Sequence, residues 1–252
     1  MRARRWGVMP TVGRLWLLIW KPYIHSWMMK DKEMNSTVGQ SLGISRVRTR
    51  YTTAFAIAMI TADFVLVLCR VRNMYAWRVV LAISAMICLF LLAHRNLATI
   101  GVVFRPRQGF RYWTKVTIVL GAVLVVLLSL VLVACWVADV SLPYEHAPRC
   151  HPRPMLDLFL EYPLLEETLY RLVLLTPLLA LIGSRWTIFI GGAIFAALHF
   201  AYGNPGPDNF VAGYLLAWAC IKSRSILVPV ALHSLGNGCC FAFQVSYWYL
   251  IT

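Results

Sequence analysis

Negative charge is scarce in this chain. Its 252 residues include 10 Asp and Glu against 24 Lys and Arg, and charged residues of both signs make up only 13%. Soluble domains carry about a quarter charged residues, so an ordinary water-facing surface is excluded. None of the seven cysteines forms a Cys-x-x-Cys pair, which removes zinc and thiol-redox centres of that spacing. Cys69, Cys88, Cys135 and Cys220 lie in or beside apolar runs, where cysteine acts as a small hydrophobe. Cys239 and Cys240 are adjacent, and Cys150 stands alone in a loop. His-Glu-x-x-His is absent, and with it a common zinc-hydrolase signature. No internal repeat is visible, so the inverted-repeat layout of many transporters is missing. The net charge of +14 comes with no DNA- or RNA-reading motif, and nucleic acid is not expected as a partner.

What the chain has in abundance is apolar sequence. Hydrophobic residues reach 60%, with a mean hydropathy of +0.68. The expected fold is an all-α polytopic membrane protein of about eight transmembrane helices, with a catalytic cavity in the C-terminal ones. The candidate spans are 52–69, 79–93, 116–138, 155–182, 186–200, 210–221, 226–237 and 239–251, with Pro163 and Pro177 bending the fourth. Four regions follow: a basic cytoplasmic tail over 1–50, N-terminal helices over 51–138, a Pro-rich loop over 139–154, and a catalytic transmembrane domain over 155–252. Within the tail, the apolar run 15–20 is too short to span and no small-residue cleavage site follows it. Met34 would offer an alternative start.

Basic residues set the orientation. Ten of the 24 Lys and Arg lie in residues 1–50, and Arg95, Arg105, Arg107, Arg111, Lys115, Arg185, Lys222 and Arg224 sit between apolar runs. Eight spans with both termini cytoplasmic put these on the positive inner face and the neutral loop 201–208 outside. Arg70, Arg72 and Arg78 fall on the outer side and break the pattern.

Six polar residues lie inside otherwise apolar segments of the C-terminal half: Glu166, Glu167, Arg171, His199, His233 and Asn237. Each ionisable group at the bilayer centre costs at least roughly 2.5–3.5 kcal/mol, so such groups must face one another or a wet cavity. Glu167 and Arg171, Phe195 and His199, and His233 and Asn237 are each four residues apart, on one face of a helix. At 1.5 Å per residue, Glu166, His199 and His233 fall roughly 16, 20 and 10 Å into their spans. Peptide hydrolysis needs a base for water and donors for an oxyanion, and this set contains both. Two histidines and a glutamate could instead hold zinc with an open position. Asn237 is a poor zinc ligand and a good oxyanion donor, so a cofactor-free mechanism is favoured with zinc as the alternative.

Glu-Glu-x-x-x-Arg at 166–171, Phe-x-x-x-His at 195–199 and His-x-x-x-Asn at 233–237 together resemble the CPBP (CAAX protease and bacteriocin-processing, or Abi) family. That family includes the type II CAAX prenyl endopeptidases. The resemblance covers roughly residues 155–240. It departs at Leu172, where glycine commonly follows the family's arginine. It implies that Glu166 and His199 activate water and that His233 and Asn237 form the oxyanion hole. Arg171 would neutralise and orient the carboxylate pair, and Phe195 would pack the His199 ring. The implied substrate is a membrane-associated, possibly prenylated, protein or peptide, cleaved by an integral membrane protein of the plasma membrane or an endomembrane. Two other classes stay open: a non-catalytic scaffold or immunity protein of the same family, and a transporter using the buried charges. Asp63 reads as an isolated polar contact, and Asp157 with Glu161 as a charge pair at the start of a helix. His94, His146 and His151 read as loop or interface residues, and Ser234 as helix packing.

Overall fold

A computed structural model describes residues 46–92, 103–142 and 151–251. The expected basic tail up to residue 45, His94 and Arg95, and the Pro-rich loop at 143–150 with His146 and Cys150 lie outside the described residues.

Uninterrupted apolar sequence builds the first three helices. α1 (Arg46–Leu68) and α2 (Met74–Leu92) contain neither glycine nor proline, and α3 (Phe110–Ala138) contains one glycine. At 1.5 Å per residue α3 is about 43 Å long, enough to cross a bilayer with tilt. Ile57 and Val65 on α1, Ile83 and Ile87 on α2, and Ile118, Leu130 and Trp136 on α3 are about half exposed or more. Water would penalise so continuous an apolar surface, whereas lipid tails do not. The chain is an all-α membrane protein.

The next rod carries the first motif, and its prolines dictate its shape. α4 (Pro152–Leu156) passes into a π-helical stretch, π1 (Asp157–Glu161), then α5 (Tyr162–Glu167), a second π-helical stretch, π2 (Thr168–Leu175), and α6 (Thr176–Tyr202). Proline has no N–H, so the carbonyl four residues before it loses its α-helical donor. Those carbonyls belong to Phe159, before Pro163, and Val173, before Pro177. Each falls inside a π stretch, where bonds of the i→i+5 kind occur, as from the Tyr162 amide to Asp157 O. The expected bend positions thus coincide with changes of helical register.

α6 breaks at Gly183, whose φ of 77° and ψ of 170° are not helical, and the Thr187 hydroxyl donates to the Gly183 carbonyl at 2.7 Å. This divides it into two limbs near the boundary expected between 182 and 186. α7 (Pro207–Ser223) follows, with proline at its first turn, where the missing N–H costs nothing. It packs on α6 at very short range: a Cβ on Gly213 would lie 2.7 Å from the Gly192 carbonyl oxygen. Only glycine admits that backbone approach.

The chain closes with α8 (Leu227–Ile251), where two of the expected segments merge. Segments 226–237 and 239–251 are one continuous helix of 25 residues. Gly238 lies between the two segments, and an interior glycine costs only about 1 kcal/mol and does not end a helix. At about 37 Å the helix is long enough to span once. Among the described residues there are therefore seven rods, counting the limbs of α6 on either side of Gly183.

The motif rod sits centrally. α1 and α2 flank π2, α2 also touches α5, α8 packs against π1 and α5, and α6 lies against α1, π2 and α7. α3 lines α8, where the buried Tyr247 hydroxyl accepts from the Leu142 amide at 2.6 Å. At one end of the bundle two basic connections are tied together. The Arg107 amide donates to Ser223 O at 2.8 Å, Gln108 Nε2 to Lys222 O at 3.0 Å, and Ser225 Oγ to Phe104 O at 3.0 Å. Gly206 precedes the other end of α7, about 26 Å away at 1.5 Å per residue. Cysteines placed at Arg107 and Gly206, in a background free of native cysteines, should label from opposite sides of the membrane. Labelling of both from one side would overturn this orientation of α7.

Candidate active site

The two adjacent glutamates have different surroundings. Glu167 is fully buried and both of its oxygens are engaged. Its Oε2 accepts from Arg171 Nε at 2.9 Å and its Oε1 from His233 Nδ1 at 2.9 Å. Glu166 is 7% exposed, and among the described residues it is met at longer range, by Arg78 Nη1 at 3.8 Å on Oε1 and His233 Nε2 at 3.9 Å on Oε2. Of the pair, Glu167 is therefore a structural anchor, while Glu166 keeps lone pairs for another partner.

Both motif histidines are held in the same tautomer. A carbonyl oxygen can only accept, so His199 Nδ1, 3.0 Å from Phe195 O, must carry its proton. The carboxylate of Glu167 makes the same demand of His233 Nδ1. Each ring is left with Nε2 as its variable nitrogen, and that of His233 faces Glu166. His199 holds its place because α6 ends just beyond it. The Asn204 amide donates to His199 O at 2.9 Å and the Gly203 amide to Phe200 O at 3.0 Å. This is a Schellman termination, and Gly203 takes its left-handed position with φ of 83°.

Phe195 is the hub through which the motifs meet. Its buried ring lies 4.5 Å from the His199 ring, 5.8 Å from the His233 ring and 4.8 Å beneath the Arg171 guanidinium. The packing expected between Phe195 and His199 is present. Arg171 is fully buried, and its two terminal nitrogens have no hydrogen-bond partner among the described residues. The aromatic face beneath it supplies part of the missing stabilisation. Leu172, at the family's glycine position, is 4% exposed and packed in the core.

Of the six expected residues, Glu166, Glu167, Arg171 and His233 stand in direct contact or near contact, and His199 joins through Phe195. Asn237 lies one turn beyond His233, and its Nδ2 donates to Leu158 O on π1 at 2.8 Å. The amide keeps a second N–H for another acceptor. Asp157 and Glu161 flank Arg153 at 3.0 Å each, as a charge pair at the start of the rod, and Tyr75 also donates to Glu161.

Two participants went unread in the sequence. Asp63 is fully buried and receives Arg78 through two bonds, Nε to Oδ1 at 2.6 Å and Nη2 to Oδ2 at 3.0 Å. Tyr170, also buried, donates to the same Oδ2 at 2.7 Å. Asp63 is thus no isolated contact, and Arg78 is no external loop charge: it is 3% exposed, inside α2. The available signal was one acid and one base placed alone in consecutive apolar helices, which seldom occurs without pairing.

Arg171→Ala should leave the buried Glu167 without its guanidinium and cost about 3–5 kcal/mol. Thermal unfolding in detergent should register that loss, and Glu167→Gln combined with Arg171→Met should recover most of it. Equal destabilisation by the single and double changes would contradict this account.

The comparisons agree with the motifs. Over 162 residues the chain is 31% identical to an uncharacterized 24.3 kDa protein of Escherichia coli, an overlap of 59% of this chain and 70% of that protein. No solved structure matches the chain. Residues 154–239, which hold all three motifs and the Phe195 hub, match the family described as Type II CAAX prenyl endopeptidase Rce1-like. With that match and that relative, the chain belongs to the type II CAAX prenyl endopeptidase Rce1-like family.

Proposed function

We propose that this membrane protein is an intramembrane endopeptidase that hydrolyses a peptide bond with a water activated by Glu166. One observation carries the reading: Glu167 is committed through both oxygens, while its neighbour Glu166 is buried, unbonded and faced by basic groups. A base must be free to take a proton, and of the two carboxylates only Glu166 is. Glu166, helped by His199 Nε2, accepts a proton from water as the oxygen attacks the scissile carbonyl. His233 Nε2, protonated, and the second N–H of Asn237 donate to the oxyanion. The Glu167 carboxylate balances the imidazolium charge on His233. Glu166 then returns its proton to the leaving amine as the carbon–nitrogen bond breaks.

The substrate in this proposal is a membrane-associated protein or peptide, since the reacting groups lie among bilayer-crossing helices. No metal is invoked. His233 Nδ1 and both Glu167 oxygens are already bonded within the protein, and an amide and a guanidinium complete the set. Those last two groups suit an oxyanion and a carboxylate better than zinc.

Glu166→Gln keeps the shape of the side chain and removes the base. Turnover of a membrane-peptide substrate should collapse while insertion and unfolding temperature stay native. Near-native turnover in this variant would show the glutamate mechanism wrong. A biological activity that survives it unchanged would point to a binding role in place of catalysis.

His233→Ala and Asn237→Ala should each lower kcat by about 10²–10³. KM should change little, because these contacts form mainly in the transition state. Activity of the native protein should also withstand strong chelators. Loss restored by added Zn²⁺ would put a metal in place of this mechanism.

A further inference from the structure

The motifs account for Glu167, Arg171 and the histidines, but not for the cation nearest the proposed base. That cation is Arg78, which comes from the N-terminal half, outside the residues that match the family. Its guanidinium is divided between two jobs. Nε and Nη2 grip Asp63, Tyr170 donates to the same carboxylate, and Nη1 is left 3.8 Å from Glu166 Oε1. The ring of Tyr202, three residues past His199, lies 5.3 Å from the guanidinium carbon and closes its other face. A planar fork gripped at two nitrogens has little freedom left, so its third nitrogen is fixed in space.

Stability alone does not explain this arrangement. A buried ion pair is often no better than well-packed apolar residues of the same volume. The geometry instead connects three elements to one carboxylate. Asp63 is on α1 and Arg78 on α2. Tyr170 is four residues after Glu166 on the rod itself.

We propose that Arg78, locked by Asp63 and Tyr170, is a positioning residue that keeps the Glu166 carboxylate aimed at the substrate water. The proposal rests on the reading of Glu166 as the base. It makes α1 and α2 a working part of the site and not only a membrane anchor.

The test uses the full chain in nanodiscs, with Asp63→Asn/Arg78→Met as the main variant. It removes both charges together and strands neither. Misplacement of a reacting group by about an ångström costs roughly 10²-fold, so kcat should fall by about that factor. KM and the unfolding temperature should stay near native, and Arg78→Lys, which keeps a cation beside Glu166, should retain more turnover than the double variant. Infrared difference spectra against Glu166→Gln isolate the Glu166 band independently of catalysis. In the double variant that band should shift and broaden, because a carboxylate oxygen that loses its fixed neighbour samples more surroundings.

Unchanged kcat with an unchanged band would overturn the proposal. So would a loss of turnover that only follows a fall in unfolding temperature and is not eased by Arg78→Lys. If the double variant does not accumulate, Arg78→Lys alone decides, by lower kcat at unchanged KM. If the native protein cleaves nothing, the proteolytic reading fails and the band alone decides whether Arg78 holds Glu166.

Discussion

Among the described residues three carboxylates and two guanidiniums are buried in the bundle, and its arrangement follows from accommodating them. Burial of any one without a partner would cost several kcal/mol, comparable to the whole stability of a domain. Asp63 has Arg78, Glu167 has Arg171, and Glu166 is the carboxylate left over, with His233 between it and its neighbour. The helices meet where these pairs require it. α1 and α2 come together at Asp63–Arg78, and α8 meets the motif rod at His233–Glu167. An excess of one carboxylate beside an imidazole is what the proposed proton transfer needs.

The same rod solves a backbone problem and a side-chain problem together. Two prolines at 163 and 177 each deprive a carbonyl of its donor, and each of those carbonyls falls inside a π-helical stretch. Neighbouring Glu166 and Glu167 then face inward on the segment between the two π stretches, where an α-helical face alone would separate adjacent residues by 100°. The wide register also buries Leu169, Tyr170, Arg171, Leu172, Val173, Leu174 and Leu175 in succession. No single helical stripe would do this.

Much of this was legible in the sequence and some was not. The apolar lengths and the three motifs were read from residue type and spacing alone, because an ionisable group in an apolar run has few explanations. The fusion of 226–237 with 239–251 was not, since glycine marks turns and helix interiors alike and only tertiary packing decides. Nor was the pairing of Asp63 with Arg78. They are 15 residues apart across a turn, and the arginine lies close enough to the helix start to be counted with the loop. The role of Glu167 as anchor and the freedom of Glu166 were also out of reach. Two identical residues side by side differ only in what the fold brings to each.

The π-helical stretch at 168–175 also bears on how this lineage can vary. An i→i+5 turn contains one residue more than an α turn of the same kind, so the stretch behaves as an accommodated insertion. Deleting a residue there would return the rod to α-helical register and rotate everything after it relative to Glu166. Phe195 and His199 would then turn away from the glutamates even with every motif residue intact. Relatives that keep the motifs but differ by one residue between Arg171 and Pro177 should therefore be read as rearranged sites, since the count of residues there carries information that their identities do not.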